Sequence, residues 1–287
     1  MLACLALALG TAACQEQNTE PTVPSLDSKL ERSVQSITGF RLKRESIKLP
    51  SSARMSDRYF ADATRRAIDP DDYVCSPNTP VTDWYRAAVG EVISEEPEIF
   101  SLLYDQLFAD LVPTYDALLF QTEDTPQYFG YNGEYTRIML KTERDVKRFW
   151  DIFSDDIQLL GMHGTMLLDE ERVAAVYSSF VFGVPPDDAE FIASLIAEAV
   201  AESETLNGGN HPLFSFNAFA FSTDALPIPD KIVMGDGILA GYEAVGFEDV
   251  APQAIYAHEF AHHIQYENEY FDDLPASTSE PEQTRYT

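Results

Sequence analysis

Near the end of the 287-residue chain, His258-Glu259-Phe260-Ala261-His262 sets two imidazoles four positions apart with a carboxylate beside the first. On an α-helix, residues four apart lie on one face a turn apart, so both rings can meet a single Zn2+ with Zn–N near ~2.0–2.1 Å. Glu259 stands next to the ligands without being one, where it can take a proton from a water attacking a carbonyl carbon. At ordinary amino-acid frequencies, a chain of this length carries such a pattern by chance on the order of 1% of the time. Three of the five histidines fall within residues 258–263, and Ile255, Tyr256, Phe260, Ala261 and Ile264 around them are uncharged, as a buried metal-binding helix requires. His163 and His211 stand alone in the sequence and read as ordinary polar or turn residues. His263 and Gln265 read either as flank groups satisfied by neighbours or as parts of the site.

A helix must position these groups. Asp249 is a candidate N-cap, Pro252 suits the first turn because its missing N–H costs nothing there, and the helix should run to about Tyr266. Strand signals gather just upstream. Phe214, Phe216, Phe219 and Phe221 give an alternating apolar face interrupted by one residue, as a bulged strand would, and Lys231 to Leu239 (KIVMGDGIL) is a second candidate strand.

Residues Lys231 to Tyr266 resemble the corresponding part of gluzincin-type zinc metallopeptidases, and His258 to Gln265 resembles the His-Glu-x-x-His-His-x-Gln signature of bacterial zinc peptidases. The resemblance implies a zinc-dependent peptidase acting on polypeptides, with His258 and His262 as ligands and Glu259 as general base. It also implies that the strand before the helix, here KIVMGDGIL, borders the cleft and pairs with an extended substrate. Metzincin chemistry is excluded, because the Gly and His it needs after the motif are replaced by Gln265 and Asn268. The gluzincin third ligand is a Glu from a following helix. Glu280 and Glu282 stand at a suitable distance but in a Ser/Thr/Pro-rich stretch, and a position beyond Thr287 is the other option, which would make the chain a fragment. Glu269 is too near: seven residues past His262 it would lie about 10 Å further along a continued helix.

Met1 to Ala13 is an apolar run of signal-peptide character, too short to span a membrane as an ordinary helix. Thr11-Ala12-Ala13-Cys14 resembles the lipobox of bacterial lipoproteins, which implies lipidation of Cys14 and a place in the bacterial cell envelope. Plain secretion after cleavage at Ala13 and a buried N-terminal strand are the alternatives. After export Cys75 is the one ordinary thiol, so no internal disulfide framework is available.

Charge is uneven. Residues 1–66 hold 10 of the 19 Lys+Arg and 7 of the 48 Asp+Glu, which leaves 9 basic against 41 acidic residues for 67–287. Such a body repels nucleic acid and anionic lipid, so the expected partners are a polypeptide substrate and a membrane reached only through a lipid anchor. Residues 15–28 suit a flexible tether and 29–287 a single metallopeptidase-like domain. Asp69-Pro70-Asp71-Asp72 reads as a turn, with a calcium cluster as the alternative.

Helical periodicity marks three stretches: Thr82 to about Phe120 as two helices ended by Pro113, Asp145 to Leu160, and Pro186 to Leu206 with Phe191, Leu195 and Ile196 facing inward. The expected fold is therefore α+β: a helical upstream region, a small antiparallel or mixed sheet, and the zinc helix across its face. The rival to a peptidase is a non-catalytic surface lipoprotein that uses the same helix as a structural metal site.

Overall fold

In the computed structural model, residues 79–222 and 227–268 are described. They fall within one compact unit of the chain, Gly39–Thr287. The expected signal peptide, Cys14, the tether, the Asp69–Asp72 cluster, Cys75, Glu269, Glu280 and Glu282 lie outside the described residues.

The fold is α+β, with eight α-helices among the described residues around a three-stranded mixed sheet. Helix α1 (Pro80–Glu95) starts at a reciprocal cap, in which Thr79 and Thr82 each satisfy the other's backbone N–H. Next come α2 (Pro97–Phe100), which runs on into a π turn over Ser101–Gln106, and α3 (Val112–Leu119). Pro113, expected to end a helix, instead sits in the first turn of α3, where a proline costs nothing.

Helix α4 (Thr136–Phe149) corrects the expectation of a helix over 145–160: it starts earlier and stops at Phe149, and strand β1 (Gln158–Met162) follows. Helices α5 (Glu170–Ser178) and α6 (Pro186–Glu202) form a packed pair. Asp187 and Asp188 lie in the first turn of α6, where carboxylates suit the positive end of the helix dipole. Leu195 and Ile196 are buried as expected, but Phe191 lies on the exposed side.

Strand β2 (Ala218–Phe221) is shorter than the phenylalanine alternation implied, because Pro212–Phe214 forms a 3-10 turn. Strand β3 (Lys231–Gly235) is likewise shorter than KIVMGDGIL, since Asp236 opens α7 (Asp236–Ala244). Gly235 is needed at that junction: a Cβ there would lie 2.0 Å from the Ser215 carbonyl oxygen. The last described helix is α8 (Ala251–Glu267).

The sheet order is β1-β3-β2, with β1 parallel and β2 antiparallel to β3. Strand β3 is therefore central, hydrogen-bonded on both sides, and cannot offer an edge to a substrate as expected from the resemblance. Burial on both faces explains its unbroken Ile232-Val233-Met234 run. Ile232 and Met234 join Leu159, Ala218, Met139 of α4, and Tyr256 and Phe260 of α8 in one core cluster. Helices α4 and α8 pack together on that side, while α3 packs against β1 and β3.

Lys231 ties the two sides together. It is 1% exposed, and its Nζ donates to the carbonyls of Ala117 (3.1 Å), Leu118 (2.8 Å) and Gln121 (2.7 Å) at the end of α3. A helix C-terminus leaves carbonyls without intrahelical partners, and an ammonium satisfies them while opposing the negative end of the dipole. Burial pulls the Lys231 pKa down to about 8, against the opposing pull of Asp116. Asp116 in turn accepts from both Arg172 and Gln121, so this buried carboxylate is paired.

Lys231→Met keeps the aliphatic stem but strands these carbonyls. Hydrogen bonds to a charged group are worth roughly 1.5–3 kcal/mol each, so the loss should be at least about 2 kcal/mol. Urea unfolding should show a lower midpoint at unchanged slope; an unchanged midpoint would remove Lys231 from this structural role.

Candidate metal centre

Helix α8 brings the motif together as the spacing requires. The ring centroids of His258 and His262 are 5.0 Å apart with planes at 88°. Its N-terminus differs from expectation. Val250 is the N-cap and makes no side-chain cap, while Asp249 contributes only its carbonyl, which accepts from Gln253 Nε2 at 2.9 Å. Pro252 does lie in the first turn.

Tyr256 and Phe260, fully buried, fix the rotation of α8 against the core. That rotation places Glu259 and His262 inside the protein at 2% and 8% exposure and leaves His258 open to solvent. His263 adds a polar clamp. Its Nδ1 lies 3.1 Å from Asp230 Oδ2 and its Nε2 3.1 Å from the Lys231 carbonyl oxygen. Both partners are hydrogen-bond acceptors. The same Lys231 that caps α3 with its side chain thus anchors α8 with its backbone.

His262 Nδ1 donates to Gln265 Oε1 at 2.9 Å, which assigns the proton to Nδ1 and leaves a lone pair on Nε2. That Nε2 is buried and has no partner among the described residues, and Glu259 Oε2 is in the same condition. Buried polar atoms are rarely left unpaired, since each costs the desolvation of the group. Two such atoms on adjacent turns of one helix, one a ligand nitrogen and the other a carboxylate oxygen, fit a site built to receive a metal ion and a polar substrate. His258 and His262 are the residues that would hold the metal.

Electrostatics follow burial. Glu259 is raised to about 8 by loss of hydration, against a hydrogen bond from the main-chain N–H of Ala220 on β2. His262 is lowered to about 4, chiefly by burial and further by His258 and His263, while Gln265 opposes the shift. His258 is lowered by the surrounding protein, although part of its surface is accessible. Both motif histidines therefore favour the neutral form that a metal ligand needs.

Among the described residues, no group of three His, Cys, Asp or Glu side chains is placed to hold a metal ion. The candidate third ligands Glu280 and Glu282 lie outside those residues. Elsewhere, His211 behaves as a turn residue: its Nδ1 accepts from Leu213 N at 3.1 Å, and burial lowers its pKa to about 4. His163 is not isolated. Its Nδ1 lies 2.7 Å from Asp236 Oδ2, and Tyr128 stacks on its ring at 3.8 Å.

Sequence reasoning missed Ala220, Asp230 and Lys231, whose roles rest on main-chain groups or on contacts about 30 or more positions away. It also missed the His163–Asp236 pair, which has no sequence signal. The chain matches no protein-family model, no curated protein and no solved structure.

The raised Glu259 pKa has a stability consequence for the metal-free protein. Between about 4.5 and 8 the folded state holds a proton that the unfolded chain has released, so this contribution to stability falls as pH rises. His262 and His211, lowered from 6.5 to about 4, act with the opposite sign below 6.5. The clean window is therefore pH 6.5–8. There, metal-free wild type should lose on the order of 1 kcal/mol relative to Glu259→Gln. Parallel pH dependence of the two proteins in urea unfolding would contradict the assignment.

Proposed function

We propose that this chain is a zinc-dependent peptidase, with His258 and His262 as metal ligands and Glu259 as general base. The observation that carries this reading is the pair of buried atoms without a partner among the described residues, His262 Nε2 and Glu259 Oε2, beside the ring of His258. Tyr256 Oη and Gln253 Oε1 on the same helix are also buried without a partner among the described residues, so what supports a metal role is the chemistry of this pair, a ligand nitrogen and a carboxylate oxygen beside a second imidazole.

When bound, zinc would supply Lewis-acid polarisation of the scissile carbonyl. The chain's own residues do the rest. Glu259 takes a proton from the attacking water and returns it to the leaving amine. Burial alone keeps this carboxyl protonated at neutral pH, and the positive charge of a bound metal would favour the ionised form that acts as a base. Gln265 holds the Nδ1 proton of His262 and so keeps Nε2 available as a ligand. His263 holds the helix register.

Strand β2 does not replace β3 as a substrate edge: its four residues are buried, α8 packs against it, and its Ala220 N–H already donates to Glu259. Export with a lipid on Cys14 fits an enzyme that meets polypeptides outside the cytoplasm, and it belongs to the same proposal. Glu280 and Glu282 are the candidates in this chain for a third zinc ligand.

Glu259→Gln keeps size and hydrogen bonding but removes the basic carboxylate. Purified Glu259→Gln should carry the parent's zinc and hydrolyse unfolded casein roughly 10²–10⁴-fold more slowly. Equal rates at equal zinc content would end the peptidase reading and leave a structural metal site as the better account.

A further inference from the structure

Outside the metal centre, the least expected feature is the solvent side of α4. Its inner side is occupied: Met139 and Thr142 are buried, and Ile138 and Val146 pack on the core shared with α8. On the outer side, Arg137, Lys141, Arg144 and Arg148 are all exposed. Steps of four, three and four residues keep them on one stripe, about 16 Å long at 1.5 Å per residue.

This stripe runs against the charge of the rest of the protein. With Lys147, α4 carries five of the nine basic residues in 67–287, a span that holds 41 acidic ones. Lys147 is already engaged, by Glu143 at 3.0 Å and the Ile157 carbonyl at 2.8 Å. Lys141 meets Asp145 at 2.5 Å on the open surface. Among the described residues, no carboxylate forms an ion pair with Arg137, Arg144 or Arg148.

At the C-terminal end of the stripe, three aromatic side chains are left in water. Phe149 is 78% exposed, Trp150 46% and Phe153 63%, and the first two rings meet edge to face at 5.2 Å. The rings share their stretch with exposed Asp151, Asp155 and Asp156, so the cations border this apolar patch from the α4 side, and an apolar patch of this kind marks a contact surface. Phe and Trp next to a basic stripe is the composition of a helix that lies on a bilayer: the cations meet anionic headgroups while the rings enter the interface. The acidic remainder does not prevent this. At physiological salt the screening length is about 8 Å, so a membrane touching α4 responds mainly to α4. Nucleic acid fits less well, because the rings follow the cations in a block instead of interleaving with them as a base-stacking groove requires.

We propose that the outer face of α4 and the adjoining Phe149, Trp150 and Phe153 form a docking surface for an anionic phospholipid bilayer, separate from any lipid on Cys14. The surface would hold the body of the protein down on the membrane in one orientation. It does not depend on zinc or on peptidase activity.

The test uses the full chain with Cys14→Ser, so that no acyl chain contributes. Vesicles of phosphatidylcholine with about one-third phosphatidylglycerol are compared with pure phosphatidylcholine by co-sedimentation. Each basic residue near an anionic surface is worth roughly a fivefold gain in partitioning, so the three unpaired arginines should give a preference of more than tenfold for the anionic vesicles. Arg137→Glu with Arg144→Glu should abolish that preference while leaving the urea midpoint within experimental error. In the Trp84→Phe background, brominated phosphatidylglycerol should quench Trp150 emission. A preference that survives the charge reversals, equal binding to both vesicles, or unquenched Trp150 would overturn the proposal. So would binding of a single-stranded oligonucleotide with no binding to anionic vesicles.

Discussion

A carboxylate and an imidazole buried side by side with unpaired atoms are expensive to hold, and the architecture around α8 is organised by that constraint. Without a partner among the described residues, Glu259 Oε2 and His262 Nε2 each cost about 1–3 kcal/mol of desolvation. The helix could relieve this by rotating a few tens of degrees toward solvent. Tyr256 and Phe260 on one side and the His263 clamp on the other prevent it. Apolar burial sets the rotation of the helix, and the clamp sets its position along the sheet.

The clamp reaches across the whole fold through Lys231. Its carbonyl receives His263 on the α8 side of the sheet, and its ammonium closes the end of α3 on the other. Two polar contacts at one residue of the central strand thus fix both helical layers relative to β3. Because β2 lies beside β3, the same strand order also turns the Ala220 N–H to Glu259, the proposed base.

Much of α8 was legible from sequence because three independent signals coincide there: the i, i+4 histidines, Pro252 in the first turn, and uncharged flanks on the buried side. Strand β1 was not legible. Gln158-Leu159-Leu160-Gly161-Met162 is covered on both faces, so it lacks the alternation that distinguishes a strand and blends into the periodicity of the helix before it. Starting that helix at Asp145 also hid the basic stripe of α4, since only the true start at Thr136 aligns Arg137 with Arg148. The end of β3 was misplaced because Gly235-Asp236-Gly237 separates two short apolar runs by only three residues in sequence while the chain turns into α7 in space. The proposed ligands are written locally in the chain, whereas Asp230 and Lys231, which hold His263 and with it the position of α8, become neighbours only after folding.

The account stands or falls on whether α8 holds the metal. Crystals of the full-length protein grown with zinc, measured on both sides of the zinc absorption edge, locate the ion directly. The strongest anomalous peak should lie ~2.0–2.1 Å from Nε2 of His262 and within bonding distance of His258. A fully loaded protein whose zinc peak lies away from both histidines would contradict it.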